Sequence, residues 1–240
     1  MKSVSDTIWG IIWGALLFIG LFFSYPGWIN VKAQASQVIR YVPIGDSYTI
    51  GTGVVVPGQS WPALLTGRLR AAGWEVQLVA NPARAGWTTQ DAIHLELPIF
   101  KESKPDFATL MIGTNDCARG MNPQSFRRNL TELLDAMRKE LSDPKRLLVV
   151  NIPDFASSPG WERMSGGEKG TAKHILLFNG IIEEECRKRG LPVVDIYTVS
   201  QQMNQDPAFF SSDGLHPSAK GYAVFAQAVY PQAKRVLEGR

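Results

Sequence analysis

The chain has 240 residues, 45% hydrophobic and 20% charged, with a formal net charge of +3. That composition excludes a disordered, collagenous or coiled-coil chain. The small positive balance, with no dense Lys/Arg block, gives no basis for a nucleic-acid partner.

The first 35 residues differ from the rest. They hold Lys2, Lys32 and Asp6, a net +1, which leaves +2 for residues 36–240. From 7 to 31 no side chain is charged, and 8–23 read IWGIIWGALLFIGLFF before Ser24-Tyr25-Pro26-Gly27 breaks the run. Ala33-Gln34-Ala35 has the small-x-small form of a signal peptidase site. One reading is a cleaved signal peptide. The other is a retained membrane anchor, since residues 7–29 exceed the roughly 20 needed to span a bilayer. The apolar block is long for a signal, and Ala35 lies well past its end, which favours the anchor. Either reading places residues 36–240 outside the cytoplasm, secreted or membrane-anchored, with membrane contact only through an uncleaved segment.

The body, residues 36–240, has the length of one α/β domain. Residues 38–44 (VIRYVPI) read as a first strand, and 61–72 as a helix stopped by Gly73. Residues 76–80 form a second strand. Residues 88–101 look helical, with Thr88 or Thr89 as N-cap. Residues 107–112 (FATLMI) make a third strand. Residues 123–141 make a helix with Pro123 at its start and Phe126, Leu130, Leu133, Leu134, Met137 and Leu141 at spacings of three and four. A fourth strand spans 147–152 (LLVVNI), a long loop 154–170, a helix 171–189, a short fifth strand 192–196, and a closing helix 218–237. Continuous apolar strands alternating with helices predict a five-stranded parallel sheet covered on both faces. Ligands bind such sheets at the carboxyl ends of the strands.

Four short motifs stand at or after strand ends, or just before the last helix. Gly45-Asp46-Ser47-Tyr48 follows the first strand and would expose a serine hydroxyl on a tight turn; alone it is also a common turn or helix cap. Asn81-Pro82-Ala83-Arg84-Ala85-Gly86-Trp87 follows the second, with Gly86 able to present an unobstructed N–H. Gly113-Thr114-Asn115-Asp116 follows the third, and an asparagine amide can donate to an oxyanion. Asp213-Gly214-Leu215-His216 precedes the last helix, and a carboxylate three residues from an imidazole can fix its tautomer. Together these supply a nucleophile, a base, an orienting acid and oxyanion donors, the parts that acyl transfer requires.

On these four blocks, in this order from about residue 39 to 226, the sequence resembles the GDSL, or SGNH, hydrolases, with Tyr48 where many members have Leu. The resemblance implies a flavodoxin-like three-layer α/β/α sandwich. It implies catalysis by Ser47, with His216 as base and Asp213 orienting it. It implies an oxyanion hole made by the N–H groups of Ser47 and Gly86 and the side-chain amide of Asn115, and it implies no cofactor or metal. The Gly-x-Ser-x-Gly elbow, a complete dinucleotide glycine loop and His-Glu-x-x-His are all absent from the sequence.

The expected function is hydrolysis of a small-molecule carboxylic ester, such as an acylated glycan or lipid. An O-acyltransferase on envelope polysaccharide would use the same acyl-enzyme, and a carbohydrate-binding module would keep only the fold. Trp61, Trp87, Phe155 and Trp161 fall in or beside the cleft loops, open to packing or to substrate stacking. Arg84 and Arg119 flank cleft motifs and face either solvent or an anionic substrate. His94 and His174 read as surface or packing residues. Cys117 and Cys186 read as two buried thiols rather than a pair.

Overall fold

The structure, a computed structural model, describes residues 38–165 and 171–239. The expectations for the first 35 residues lie outside them.

The sheet forms where the sequence is continuously apolar. β1 (Ile39–Gly45), β3 (Phe107–Met111) and β4 (Leu147–Val150) are its centre, and every residue of β3 and β4 is buried. β2 (Val76–Leu78) and β5 (Val193–Val194) form the edges. All pairings are parallel, and the order is β2-β1-β3-β4-β5. From β1 the chain goes first to one side and then to the other. The strand order therefore reverses between β1 and β3, which opens a crevice at their carboxyl ends. That is where the Ser47 and Asn115 motifs emerge.

In chain order the helices are α1 (Ser47–Ile50), α2 (Trp61–Ala71), α3 (Thr89–Asp91), α4 (Leu97–Glu102), α5 (Thr114–Ala118), α6 (Pro123–Glu140), α7 (Pro159–Ser165), α8 (Thr171–Arg189), α9 (Ile196–Met203) and α10 (Ala219–Leu237). One group, α2, α9 and α10, packs together; another joins α3, α4, α5, α6 and α8. With the sheet between them they make the expected three layers. α6 shows how locally this is encoded. Asn122 caps it by accepting from the N–H groups of Gln124 and Ser125, Pro123 begins it, and its periodic apolar face is buried.

Three segments differ from the sequence reading. The expected helix over 88–101 is interrupted by a π turn, Ala92–Glu96, ahead of Pro98. A proline ring inside a regular helix collides with the carbonyl four residues back, and the extra residue of the π turn takes up that conflict. β5 is shorter than residues 192–196, because Asp195 accepts from the Thr198 N–H and starts α9. The long loop over 154–170 contains a 3₁₀ turn (Phe155–Ser157) and then α7. Ser158 accepts from the Trp161 N–H and Pro159 opens the helix, a start signal hidden among many Gly, Ser and Pro residues.

Candidate active site

The turn after β1 is built by Asp46. Its carboxylate Oδ1 accepts from the Tyr48 N–H at 3.0 Å, and its carbonyl accepts from Thr49 and Ile50. This bends the extended chain into α1 with Ser47 as the first helical residue. From α10, the Tyr222 hydroxyl donates to the carbonyls of Thr52 and Ser47, at 2.7 and 3.4 Å, and braces the turn. Beneath it sits Glu96, the last residue of the π turn, fully buried, whose carboxylate accepts from the Gly45 N–H at 3.0 Å. Burial, reinforced by the Asp46 and Asp91 carboxylates, pushes Glu96 up to about 8 against the opposing Gly45 hydrogen bond. Burial likewise raises Asp46 to about 7.

The loop before α10 brings Asp213 and His216 together. His216 Nδ1 lies 2.7 Å from Asp213 Oδ2. Asp213 Oδ1 accepts from the Ser211 hydroxyl and the N–H groups of Leu215 and His216, at 2.8, 2.8 and 2.9 Å. Burial raises the Asp213 carboxyl, but hydrogen bonds from the His216 ring, the two backbone N–H groups and Ser211 outweigh it and hold the group down at about 2. It is therefore an anion at neutral pH.

The carbonyls of this loop are gripped from outside, one after another. The Arg163 guanidinium donates to Asp213 O at 2.8 Å, the Gly160 N–H to Gly214 O at 2.8 Å, and the Tyr48 hydroxyl to Leu215 O at 3.2 Å. The Tyr48 ring lies 5.4 Å from the His216 ring, centre to centre. Ser47 and His216 thus share the neighbourhood of Tyr48. No direct hydrogen bond joins Ser47 Oγ to His216; such contacts commonly tighten only when substrate binds.

The third wall comes from β2 and β3. Gly86 has φ +84°, a backbone geometry that L side chains rarely adopt. Its N–H, like that of Ser47, makes no hydrogen bond among the described residues. The Asn115 side-chain amide donates one hydrogen to Trp87 O at 2.8 Å, which leaves a second for another acceptor. Buried Asp116 accepts from the N–H and hydroxyl of Thr89, tying α5 to the start of α3.

The remaining candidates separate by burial. Trp61 and Phe155 belong to the core and are closed to substrate, and Trp161 packs edge-on against Phe155. Trp87 is partly exposed beneath Arg84, 5.6 Å from its ring centre. Arg119 is engaged by Gly86 O at 2.7 Å rather than facing only solvent. His94 and His174 are exposed, and Cys117 and Cys186 are free, buried thiols. Among the described residues no cluster of His, Cys, Asp or Glu is arranged to hold a metal ion. Sequence reasoning missed the Gly160–Arg163 grip, the Tyr48 hydroxyl contact and Glu96. Only the first had a local signal, the Ser158-Pro159 helix start.

A broad groove of about 1020 Å³ runs between the 80–87 loop and α4, bordered by Ile50, Ala85, Trp87, Leu95 and Ile99. Behind Tyr48, Leu215 and Pro217 lies a cavity of only about 10 Å³, room for a water molecule.

In sequence and fold the chain is similar to known esterases. The chain is 22% identical to the esterase TesA of Pseudomonas aeruginosa, over 85% of this chain and 92% of that one. It is 28% identical to an isoamyl acetate-hydrolyzing esterase of Saccharomyces cerevisiae, over 61% and 68%. A crystal structure of a lipase/acylhydrolase from Enterococcus faecalis superposes with a TM-score of 0.67 at 24% identity, covering 82% of this chain and 95% of that one. Residues 44–224 match the GDSL-like lipase/acylhydrolase family, a span that contains all four motifs. The chain therefore belongs to the GDSL-like lipase/acylhydrolase family and is a carboxylic ester hydrolase.

Proposed function

We propose that the protein hydrolyses small acyl esters through a Ser47–His216–Asp213 triad and a covalent acyl-enzyme. The observation that carries this reading is the Asp213–His216 pair at 2.7 Å, held against Tyr48, the residue next to Ser47.

In the forward step Ser47 Oγ attacks the ester carbonyl carbon while its proton passes to His216 Nε2. The ionised Asp213 keeps the Nδ1–H tautomer and stabilises the imidazolium. The carbonyl oxygen becomes an oxyanion that accepts from the Ser47 N–H, the Gly86 N–H and the second hydrogen of Asn115 Nδ2. The C–O bond to the alcohol then breaks, and His216 returns the proton to the departing oxygen. Water, deprotonated by His216, repeats the cycle on the acyl-enzyme and frees the acid. Each oxyanion donor contributes about 2.7–4 kcal/mol to the transition state.

The small-acyl assignment rests on similarity; the broad groove bordered by Ile50, Leu95 and Ile99 would admit short and long chains alike. A yeast relative that hydrolyses isoamyl acetate is consistent with it. Acetylated glycans and short-chain lipid esters both fall in this class.

The test is hydrolysis of p-nitrophenyl esters from acetate to palmitate, beside Ser47→Ala. We expect rates to fall with chain length and the variant to be inactive. A preference for palmitate would move the acyl chain into the groove of Ile50, Leu95 and Ile99 and refute the small-acyl assignment. Undiminished activity in Ser47→Ala would refute the nucleophile.

A further inference from the structure

The oxyanion donor Gly86 is the least constrained part of the proposed machinery. Glycine visits positive and negative φ with similar ease. A shift of the backbone at Gly86 would carry its N–H away from Ser47 without steric penalty from a side chain. Something else must hold the loop in the productive arrangement.

The chain provides two donors for this, one helical turn apart. Asn115, in α5, donates to Trp87 O at 2.8 Å, and Arg119, the C-cap of the same helix, donates to Gly86 O at 2.7 Å. Spacing of four places both side chains on one face of the helix. The end of α5 is itself held, with the Arg119 N–H on Asn115 O at 3.0 Å and the Met121 N–H on Asp116 O at 2.9 Å. The Arg119 guanidinium also acts on Asp91, and contributes to holding that carboxyl below its ordinary value. Asp91 closes the capping box of α3 with Thr88. One cation therefore binds the carbonyl at one end of the 86–91 segment and acts electrostatically on the capping carboxylate at the other.

We infer that Arg119 is a positioning residue for the oxyanion hole: by holding the Gly86–Trp87 peptide through its carbonyl it anchors the Gly86 Cα, and with it the place from which the Gly86 N–H is offered to the Ser47 acyl centre. The inference rests on the esterase reading above. It assigns Arg119 no contact with substrate. A hydrogen bond from a charged donor has the strength to bias the position of the loop backbone by about 10- to 100-fold. Because the donor acts only on the developing oxyanion, its loss falls on kcat and spares KM.

The experiment compares the purified wild type with Arg119→Lys and Arg119→Ala. Steady-state p-nitrophenyl acetate hydrolysis is measured with the rate of Ser47 labelling by a fluorophosphonate, whose phosphoryl oxygen occupies the same hole. Arg119→Ala is expected to lose about 10- to 100-fold in kcat, with KM within about twofold and labelling slowed in parallel. Arg119→Lys is expected to recover part of the loss, since a single ammonium can still reach a carbonyl. Low-millimolar guanidinium is expected to accelerate Arg119→Ala and leave the wild type unchanged, a response that a merely destabilised protein would not give.

An Arg119→Ala enzyme with wild-type kcat would overturn the positioning role. So would a loss that appears in KM, or one that guanidinium and lysine both fail to restore. Wild-type protein that neither hydrolyses esters nor takes the label would instead overturn the esterase reading itself. The two failures are told apart by the wild-type measurement.

Discussion

Gly160 tests whether the Asp213–His216 loop depends on its outside supports. A Cβ built at this position would stand 2.5 Å from Asp213 O, 2.7 Å from the Gly214 carbonyl carbon and 2.7 Å from Leu215 N. Ordinary contact begins at 3.4 Å, so Gly160→Ala must drive the two backbones apart by 3.4 − 2.5 = 0.9 Å or 3.4 − 2.7 = 0.7 Å. All three obstacles are main-chain atoms and cannot rotate aside. The displaced segment is the one that carries Asp213 and, three residues on, His216. Misplacing catalytic groups by about 1 Å costs on the order of 100-fold in rate, and overpacking costs about 1–3 kcal/mol in stability. We therefore expect Gly160→Ala to lower kcat for p-nitrophenyl acetate by roughly 30- to 100-fold. Its urea midpoint should fall by an amount equivalent to about 1–3 kcal/mol. Gly180→Ala in α8 is the control, because nothing lies within 4 Å of its Cβ position. It should leave kcat unchanged and, if anything, stabilise the helix by about 0.5–1 kcal/mol. A Gly160→Ala enzyme with normal kcat and normal stability would show that α7 does not position the loop.

Asp213→Asn should retain the fold and lose about 10⁴-fold in kcat, because an amide no longer secures the Nδ1–H tautomer of His216; a loss below tenfold would argue against the orienting role. Glu96 governs stability with an unusual sign. Its native form keeps, between about pH 4.5 and 8, a proton that the unfolded chain has released, so stability falls as pH rises through that window. Asp46, raised by the same burial, acts in the same direction. Glu96→Gln can still accept from the Gly45 N–H and should flatten this slope in urea titrations run at both ends of the window; an unchanged slope would refute the assignment. Glu185 acts oppositely. Although burial raises it, hydrogen bonds from Lys188, Arg189 and Arg127 hold it at about 2, so its contribution is complete above about pH 4.5 and is lost as pH falls towards 2. Glu185→Ala should cost about 3 kcal/mol at neutral pH, measured by urea unfolding, and should weaken the acid-side decline; a stable variant would show that the cluster joining α6 and α8 is dispensable.

The architecture was legible because it is written in short range. Unbroken apolar runs at β1, β3 and β4 can be satisfied only by a sheet buried on both faces. The opening proline and apolar period of α6 need no partner to be recognised. The four motifs were legible for a similar reason, since each is a short run of neighbouring residues, as Asp213–His216 is. The support of those motifs was not legible. Tyr48 and Leu215 are separated by 167 residues, Arg163 and Asp213 by 50, and Arg119 and Gly86 by 33. Nothing in a local pattern distinguishes an arginine that grips a distant carbonyl from one that faces water. The aromatic residues illustrate the same limit: Trp61 and Phe155 sit beside cleft motifs in the chain yet close the core, because burial is decided by the neighbouring layers. By itself the sequence determined the alternation of strands and helices and which groups are candidates for the chemistry. Only the tertiary structure decided which residues hold those groups still, because hydrogen bonds to backbone carbonyls leave no signature in the identity of the residue that accepts them.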